Sequence, residues 1–147
     1  MNGNTENPFI TGTENILKAY HEANEKMVAR FNVRFKDVFL KAILVAQYLK
    51  ATGSREFLIA VIYTDGLIID LKDTLEGINY AGELPLTFII VGIGTTNFEQ
   101  MDILDGDEVP RDRRGYDIVK FANMKTFLNY IDFFPFELMR KVPSALI

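Results

Sequence analysis

The 147-residue chain contains no cysteine, and that absence excludes several kinds of chemistry at once. Without thiols the chain cannot form a disulfide, a thiolate metal site or a cysteine nucleophile. It also has a single histidine, His21, and no Gly-x-Ser-x-Gly motif. Neither a histidine-based zinc site nor a serine–histidine triad can therefore be assembled. We expect a protein that is not an enzyme, with no catalytic residues.

The chain also lacks a basic excess and a long apolar run. Its 16 basic and 20 acidic residues give a net charge of -4, whereas nucleic-acid binders usually carry a basic excess or stripe. The apolar runs "LIAVIY" and "FIIVGI" are far shorter than the roughly 20 residues of a membrane-spanning helix. The polar start "MNGNTENPF" has no signal-peptide pattern. We expect a cytoplasmic protein with no nucleic-acid partner and no direct membrane insertion.

What remains is a clear alternation of helical and strand patterns. After a disordered end at residues 1–6, we predict one domain over residues 7–147. The predicted helices cover residues 13–27, 34–50 and 71–84, a short segment after Asn97, and a last segment from Asn123 that Pro135 interrupts. The predicted strands cover residues 57–63, 86–94 and 116–122. Such alternation predicts right-handed crossovers and a mostly parallel sheet between helical layers, a three-layer α/β/α fold.

Two packing predictions follow from the apolar patterns. The run at 57–63 is continuously apolar, as expected of a strand covered on both faces, and Ile59 and Ile90 are predicted to be fully buried. The helix at 34–50 carries an apolar stripe at helical spacing that should form its buried face: Phe35, Val38, Phe39, Ala42, Val45, Ala46 and Leu49.

Polar side chains follow the first two predicted strands, where parallel sheets collect their functional groups. The segments are "TDGLIID" (64–70) and "GIGTTN" (92–97), and the candidate ligand or partner-binding residues in them are Thr64, Asp65, Asp70, Thr95 and Thr96. Asp65 either caps the next helix or points at a metal ion, a phosphate or a partner. "GIGTT" lacks the Gly-x-Gly-x-x-Gly pattern, which favours a tight strand-to-helix turn over a phosphate cradle.

Three stretches together resemble the C-terminal half of the copine von Willebrand factor A-type domain. They are "YTDGLIID" (63–70), "LPLTFIIVGIGTTNFEQMDILDGDE" (84–108) and "YDIVKFA" (116–122). The similarity extends from about Asn7 to the final "KVPSALI" (141–147). It implies a truncated, Rossmann-like A-type domain that binds protein partners.

The resemblance also implies a metal-ion-dependent adhesion site, in which Asp65 matches one ligand. The Asp-x-Ser-x-Ser loop of the family has no counterpart in this chain, and the threonine of a further loop is replaced by Val33 in "FNVRF" (31–35). Because Mg²⁺ takes six oxygen ligands, we expect Asp65 to be a residual, weak Mg²⁺ ligand at most, and we expect no other cofactor.

Two classes of function stay open. The first is a non-enzymatic protein–protein interaction module with a dismantled metal site. The alternative is a small-molecule or phosphate-binding domain, or a hydrolase, that uses Asp65, Asp70, Thr95 and Thr96 at the strand ends.

The resemblance also implies an exposed strand edge. The strand that pairs with residues 57–63 in a complete A-type domain is missing here, and the run has no Pro or Lys to prevent edge pairing. We therefore expect a homodimer or larger homo-oligomer, with an interface that includes Phe57, Ile59, Val61 and, on a poorly covered helix, Phe35 and Phe39. If the chain is instead a monomer, residues 28–33 are the candidate cover for that edge.

Overall fold

The computed structural model describes residues 9–28, 34–106, 117–140 and 142 of the chain. The chain divides into two compact units, Met1–Asn32 and Val33–Ile147. The first unit contains helix α1 (Thr13–Lys26), which ends one residue before the predicted end. Residues 1–6 and most of residues 28–33 lie outside the described parts, and the single domain over 7–147 stays a prediction.

In its described parts, the second unit alternates helices with three strands. Its elements are α2 (Phe35–Ala51), β1 (Leu58–Thr64), α3 (Leu71–Ile78), β2 (Leu86–Gly92), α4 (Glu99–Leu104), β3 (Val119–Asn123), a 3-10 helix (Met124–Phe133) and α5 (Phe134–Arg140). The strands form one parallel sheet in the order β1-β2-β3. The predicted α/β class is confirmed.

Helices cover the two faces of this sheet. The helices α2, α3 and α4 share one core with the sheet, in which the ring of Phe39 stacks on that of Phe88 at 4.2 Å between centroids. Right-handed crossovers that advance in one direction keep their helices on one face. The opposite face is therefore left for the chain after β3, and Phe134 packs there with Ile89 and Val91. The result is the predicted three-layer arrangement.

The buried face of α2 differs from the prediction. Phe35 and Phe39 are buried in the core, so the expectation that they are poorly covered and available to an oligomer interface is wrong. Val38 and Val45, from the same predicted stripe, are 46% and 49% exposed. The helix is rotated so that Ile43, which the predicted stripe omitted, faces the core instead. One flank of the predicted apolar stripe thus lies at the surface.

Strand β1 is covered along one face but only at its start on the other, and not along both faces as predicted. Its side chains that turn toward α2 and α3 pack against the core: Leu58, Ala60 and Ile62. On the other face Val61 and Tyr63 are 48% and 68% exposed. The physical reason is that the cluster formed with α5 is centred on β2 and β3, through Ile89, Val91 and Ala122. Ile59, at the start of the same face of β1, still packs against that cluster, whereas Val61 and Tyr63 remain open.

Strand β2 is the centre of the sheet. All seven of its residues are buried, and the prediction that Ile90 is fully buried is confirmed. The same prediction is wrong for Ile59, which is half-buried because it packs only against the margin of the cluster formed with α5.

Two helix boundaries also differ from the sequence prediction. Helix α3 ends at Ile78, and turns instead of helix lead from there to Pro85. After β3, Asn123 accepts a hydrogen bond from Lys125 N at 3.0 Å, as a cap should, but the element that it caps is a 3-10 helix. Pro135 lies in the first turn of α5, where a missing N–H is tolerated.

Candidate functional site

The carboxyl ends of β1 and β2 lie side by side and present backbone and hydroxyl groups. Thr64 pairs with Gly92 at the end of the ladder, and Ile93 N donates to the Thr64 carbonyl at 2.8 Å. The Thr96 hydroxyl donates to the Asp65 carbonyl oxygen. The structure therefore brings Thr64, Asp65 and Thr96 together, and exposed Thr95 lies in the same loop.

Asp65 does not cap a helix. Its Oδ1 accepts a hydrogen bond from Leu67 N at 3.3 Å, which closes a local turn directly after β1. Helix α3 begins at Leu71, six residues further on. The interpretation of Asp65 as the N-terminal cap of the next helix is therefore wrong, and the side chain is exposed at the sheet edge.

The turn after β1 depends on Gly66. The Thr64 hydroxyl accepts a hydrogen bond from Gly66 N at 3.0 Å. Gly66 has a φ of +94°, a conformation that L side chains rarely adopt. A Cβ at this position would also lie 2.7 Å from the Phe98 ring. The Thr-Asp-Gly sequence is thus a compact turn that seats Asp65 beside the loop after β2.

Asp70 has a structural role that the sequence did not reveal. Its two carboxylate oxygens accept hydrogen bonds from Phe35 N at 3.0 Å and from Lys36 N at 3.1 Å. The side chain is 8% exposed, and Arg34 Nε lies 3.8 Å from Oδ2. Asp70 therefore caps the first turn of α2 from a distant part of the chain. Its use as a ligand stays a prediction, with both oxygens already engaged.

No local sequence signal marks this cap. Capping residues are usually found next to the helix that they cap, whereas Asp70 is 35 residues from Phe35. The signal at Asn97 is local, but the N-cap of α4 is Phe98, one residue further on. Asn97 Oδ1 instead accepts a hydrogen bond from Glu99 N at 2.9 Å, in the turn that leads into the helix.

The side chains near Asp65 do not fit a magnesium site. Within the described residues, no group of three or more His, Cys, Asp or Glu side chains lies close enough to hold a metal ion. Val33, at the position of the family's threonine ligand, lies outside the described residues. A six-oxygen site for Mg²⁺ would thus need donors beyond those that the described part of the chain offers.

Comparison with known proteins identifies the family. The family model described as Copine matches residues 1–146. The chain belongs to the copine family. The resemblance in the three motif stretches is thereby confirmed, and the parallel sheet agrees with the A-type fold that it implied.

Similar copine relatives are much longer than this chain. Copine-A of Dictyostelium discoideum is 30% identical over 151 residues, which cover 100% of this chain and 25% of that protein. Protein BONZAI 1 of Arabidopsis thaliana is 33% identical over 111 residues, 76% of this chain and 19% of that protein. Copine-C of Dictyostelium discoideum is 28% identical over 145 residues, 95% and 27% respectively. This copine-family chain spans about a quarter of the relatives' length.

None of the helices in the described ranges is both long enough and apolar enough to cross a bilayer.

Proposed function

We propose that this copine-family chain is a non-enzymatic protein-interaction module whose binding surface is the outer edge of β1. Family membership and the α/β fold support an A-type domain. The observation that carries the proposal is the state of β1, an apolar edge strand with exposed side chains on one face.

The hydrogen bonds of β1 distinguish the backbone groups that point to β2 from those that point outward. Leu58 N donates to the Pro85 carbonyl at 2.8 Å, and the Thr64 carbonyl accepts from Ile93 N at 2.8 Å. In a parallel ladder the N–H and C=O of one residue point to the same side, and successive residues alternate. The even-numbered residues therefore bond to β2. The odd-numbered residues direct both groups outward: Ile59, Val61 and Tyr63.

This edge supports strand addition as the mode of binding. Within the described residues, no strand pairs with the outward groups of β1. The run from Phe57 to Thr64 contains no Pro, Lys or other charged residue, the devices that commonly prevent edge pairing. Partners that add a strand to a sheet edge obtain their affinity from such main-chain groups.

The same proposal covers the weak binding of cations and the kind of partner. We propose that Asp65 is a residual metal ligand that holds Mg²⁺ only weakly, since its exposed carboxylate and the hydroxyls of Thr64, Thr95 and Thr96 are few donors for a hard cation. The partner is a protein and not a nucleic acid, consistent with the net charge of -4. Homo-oligomers are included, with Phe57, Ile59 and Val61 in the interface.

The test compares retention of proteins by three tagged versions of the chain: unmodified, Val61→Pro and Tyr80→Ser. The Val61→Pro change removes an outward donor, whereas Tyr80 is exposed and lies after α3. We expect the unmodified chain and Tyr80→Ser to retain a partner, which is either a different protein or an untagged copy of this chain. Val61→Pro should not retain it. Turnover of a phosphate ester or nucleotide that Asp65→Ala abolishes would contradict the non-enzymatic assignment.

A second candidate function rests on the contact between the two strand-end loops. Because Thr96 bonds to the Asp65 backbone, Asp65, Thr95 and Thr96 form one polar edge where ligands bind in parallel sheets. Nuclear magnetic resonance shifts confined to residues 64–70 and 92–97 on addition of a nucleotide or sugar phosphate would favour this candidate. An absence of such shifts would remove it.

A further inference from the structure

We infer that the partner at the β1 edge is a second copy of this chain, with the two β1 strands antiparallel about a two-fold axis at Val61. This inference rests on the proposed interaction role of that edge and specifies its partner. The pairing would join two three-stranded sheets into one sheet of six strands, in the order β3-β2-β1-β1-β2-β3.

The edge is complementary to itself in this register. In an antiparallel pair, residues that exchange both backbone hydrogen bonds lie directly opposite each other. The outward residues Ile59, Val61 and Tyr63 are spaced evenly about Val61. Val61 then faces Val61 of the second copy, and Ile59 faces Tyr63 of the second copy. All outward N–H and C=O groups of both strands between residues 59 and 63 are satisfied at once.

The exposed flank of α2 is a separate observation that favours the same partner. Two contacts fix the orientation of α2. Phe39 stacks on Phe88 of β2, and Leu40 lies 4.0 Å from the position that a Cβ on Gly77 of α3 would take. At 100° per residue, Val38 and Val45 fall on the flank opposite Leu40. That flank faces away from α3, toward the open side of β1.

A two-fold axis perpendicular to the sheet makes the two α2 flanks neighbours. Residues opposite each other in an antiparallel pair point to the same face, so both copies of α2 lie on the same side of the joined sheet. Val38 and Val45 of one copy then face their counterparts across the axis. In the single chain Val38 and Val45 are 46% and 49% exposed, although they belong to the predicted apolar stripe. In the pair they would be covered by the second copy.

The charge pattern permits strand β1 to pair with itself. No charged side chain lies between Phe57 and Thr64, so no like charges are placed opposite each other. Arg55 precedes this run and Asp65 follows it, and antiparallel pairing brings each toward the other in the second copy. Glu56, beside Arg55, accepts a hydrogen bond from Ser54 Oγ in its own chain at 3.2 Å.

Cysteine cross-linking tests the register, because the chain has no cysteine of its own. Opposite residues of a hydrogen-bonded antiparallel pair have Cα atoms about 5.5 Å apart, within the range for a disulfide. Under mild oxidation Val61→Cys should give a species of twice the 16.8 kDa chain mass. Tyr63→Cys alone should not, because its own counterpart lies about 13 Å away along the strand. A mixture of Ile59→Cys and Tyr63→Cys chains should form the mixed dimer.

The control is Tyr80→Cys, an exposed position away from β1 that reports random collision. Cross-linking of Val61→Cys at the rate of this control would overturn the inference. Efficient self-linking of Tyr63→Cys would overturn the register, because Tyr63 lies opposite its own counterpart only in a parallel pair or in an antiparallel pair centred on Tyr63.

Proline substitution gives a second measurement that does not rely on oxidation. Val61 directs its N–H outward, so Val61→Pro should leave the fold intact and shift sedimentation from dimer to monomer. Ile62 directs its N–H to β2, so Ile62→Pro should lower the melting temperature instead. Unchanged sedimentation of Val61→Pro would contradict the inference.

The two proposals can fail separately. A monomeric chain that still loses a retained protein on Val61→Pro would overturn the self-pairing and keep the interaction role of the edge. A monomeric chain in which Val61→Pro changes no association would overturn both.

Discussion

Alanine substitution at two glycines of the second unit (Val33–Ile147) should change the stability in opposite directions. A Cβ on Gly92 would lie 2.8 Å from the Phe98 ring and 2.9 Å from the Phe121 ring, whereas a Cβ on helical Gly77 has its nearest neighbour at 4.0 Å. Overpacking in Gly92→Ala should cost about 1–3 kcal/mol of unfolding free energy. The Gly77→Ala helix should gain about 0.5–1 kcal/mol. Urea denaturation of both variants measures the difference, and a stabilised Gly92→Ala protein would contradict the packing at the end of β2.

Loss of the Asp70 side chain should lower the stability of the fold, because it caps α2 from a distant part of the chain. Replacement by Ala leaves Phe35 N and Lys36 N without their acceptors, and loss of a cap typically costs about 0.5–2 kcal/mol. Asp70→Asn, which keeps one acceptor oxygen, should lose less. Thermal unfolding of the two variants tests the order, and equal stability of Asp70→Ala and the unmodified chain would argue against the cap.

Asp65 should give no measurable metal response. A ligand present at 100 times its Kd adds about 2.7 kcal/mol to stability, so a tight site would raise the melting temperature clearly. We expect no rise with millimolar Mg²⁺ or Mn²⁺. A rise that Asp65→Ala abolishes would show that Asp65 belongs to a complete cation site.

At the scale of the elements, the contrast between β1 and β2 leads to the next prediction. Ile90 is fully buried in the central strand, and Ile59 is half-buried at the edge. Truncation of a buried Ile costs about 2–5 kcal/mol, so Ile90→Ala should fall in this range and Ile59→Ala below it. A loss of less than about 1 kcal/mol at Ile90 would mean that β2 is not the centre of the core. Chemical denaturation at low protein concentration makes the comparison.

The sequence predicted the elements better than their surroundings. Strand length and helical period are local properties, and they located β1, β2 and α2 to within a few residues. The packing of other elements against a strand face is not a local property. The continuous apolar run at 57–63 indicates a strand that suits burial on both faces, but the face of Val61 and Tyr63 depends on which elements lie beyond it.

The same limit explains the candidate site. Thr64, Asp65 and Thr96 meet because the ends of adjacent parallel strands share one edge, which the element order predicts. The position of Asp70 under the first turn of α2 depends on how two helices pack side by side. No spacing in the sequence encodes such a contact.

At the scale of the whole molecule, the open edge of β1 and the exposed flank of α2 belong to the same side of the sheet unit. The sheet that the described residues form has three strands, and its uncharged apolar edge is prone to pair with another strand. Self-pairing would cover both surfaces at once. It would also make the melting temperature rise with protein concentration, since association stabilises the folded state by mass action.

Amide hydrogen exchange of β1 tests this account most directly, because neighbouring residues of one strand serve as test and reference. Ala60 and Ile62 direct their N–H groups to β2 and should be protected at every protein concentration. Ile59, Val61 and Tyr63 direct theirs outward and should become protected as the concentration rises, by the same factor for all three. Exchange of these three amides at unprotected rates at all concentrations, with Ala60 and Ile62 still protected, would contradict the claim that the edge of β1 is an interaction surface filled by a second copy.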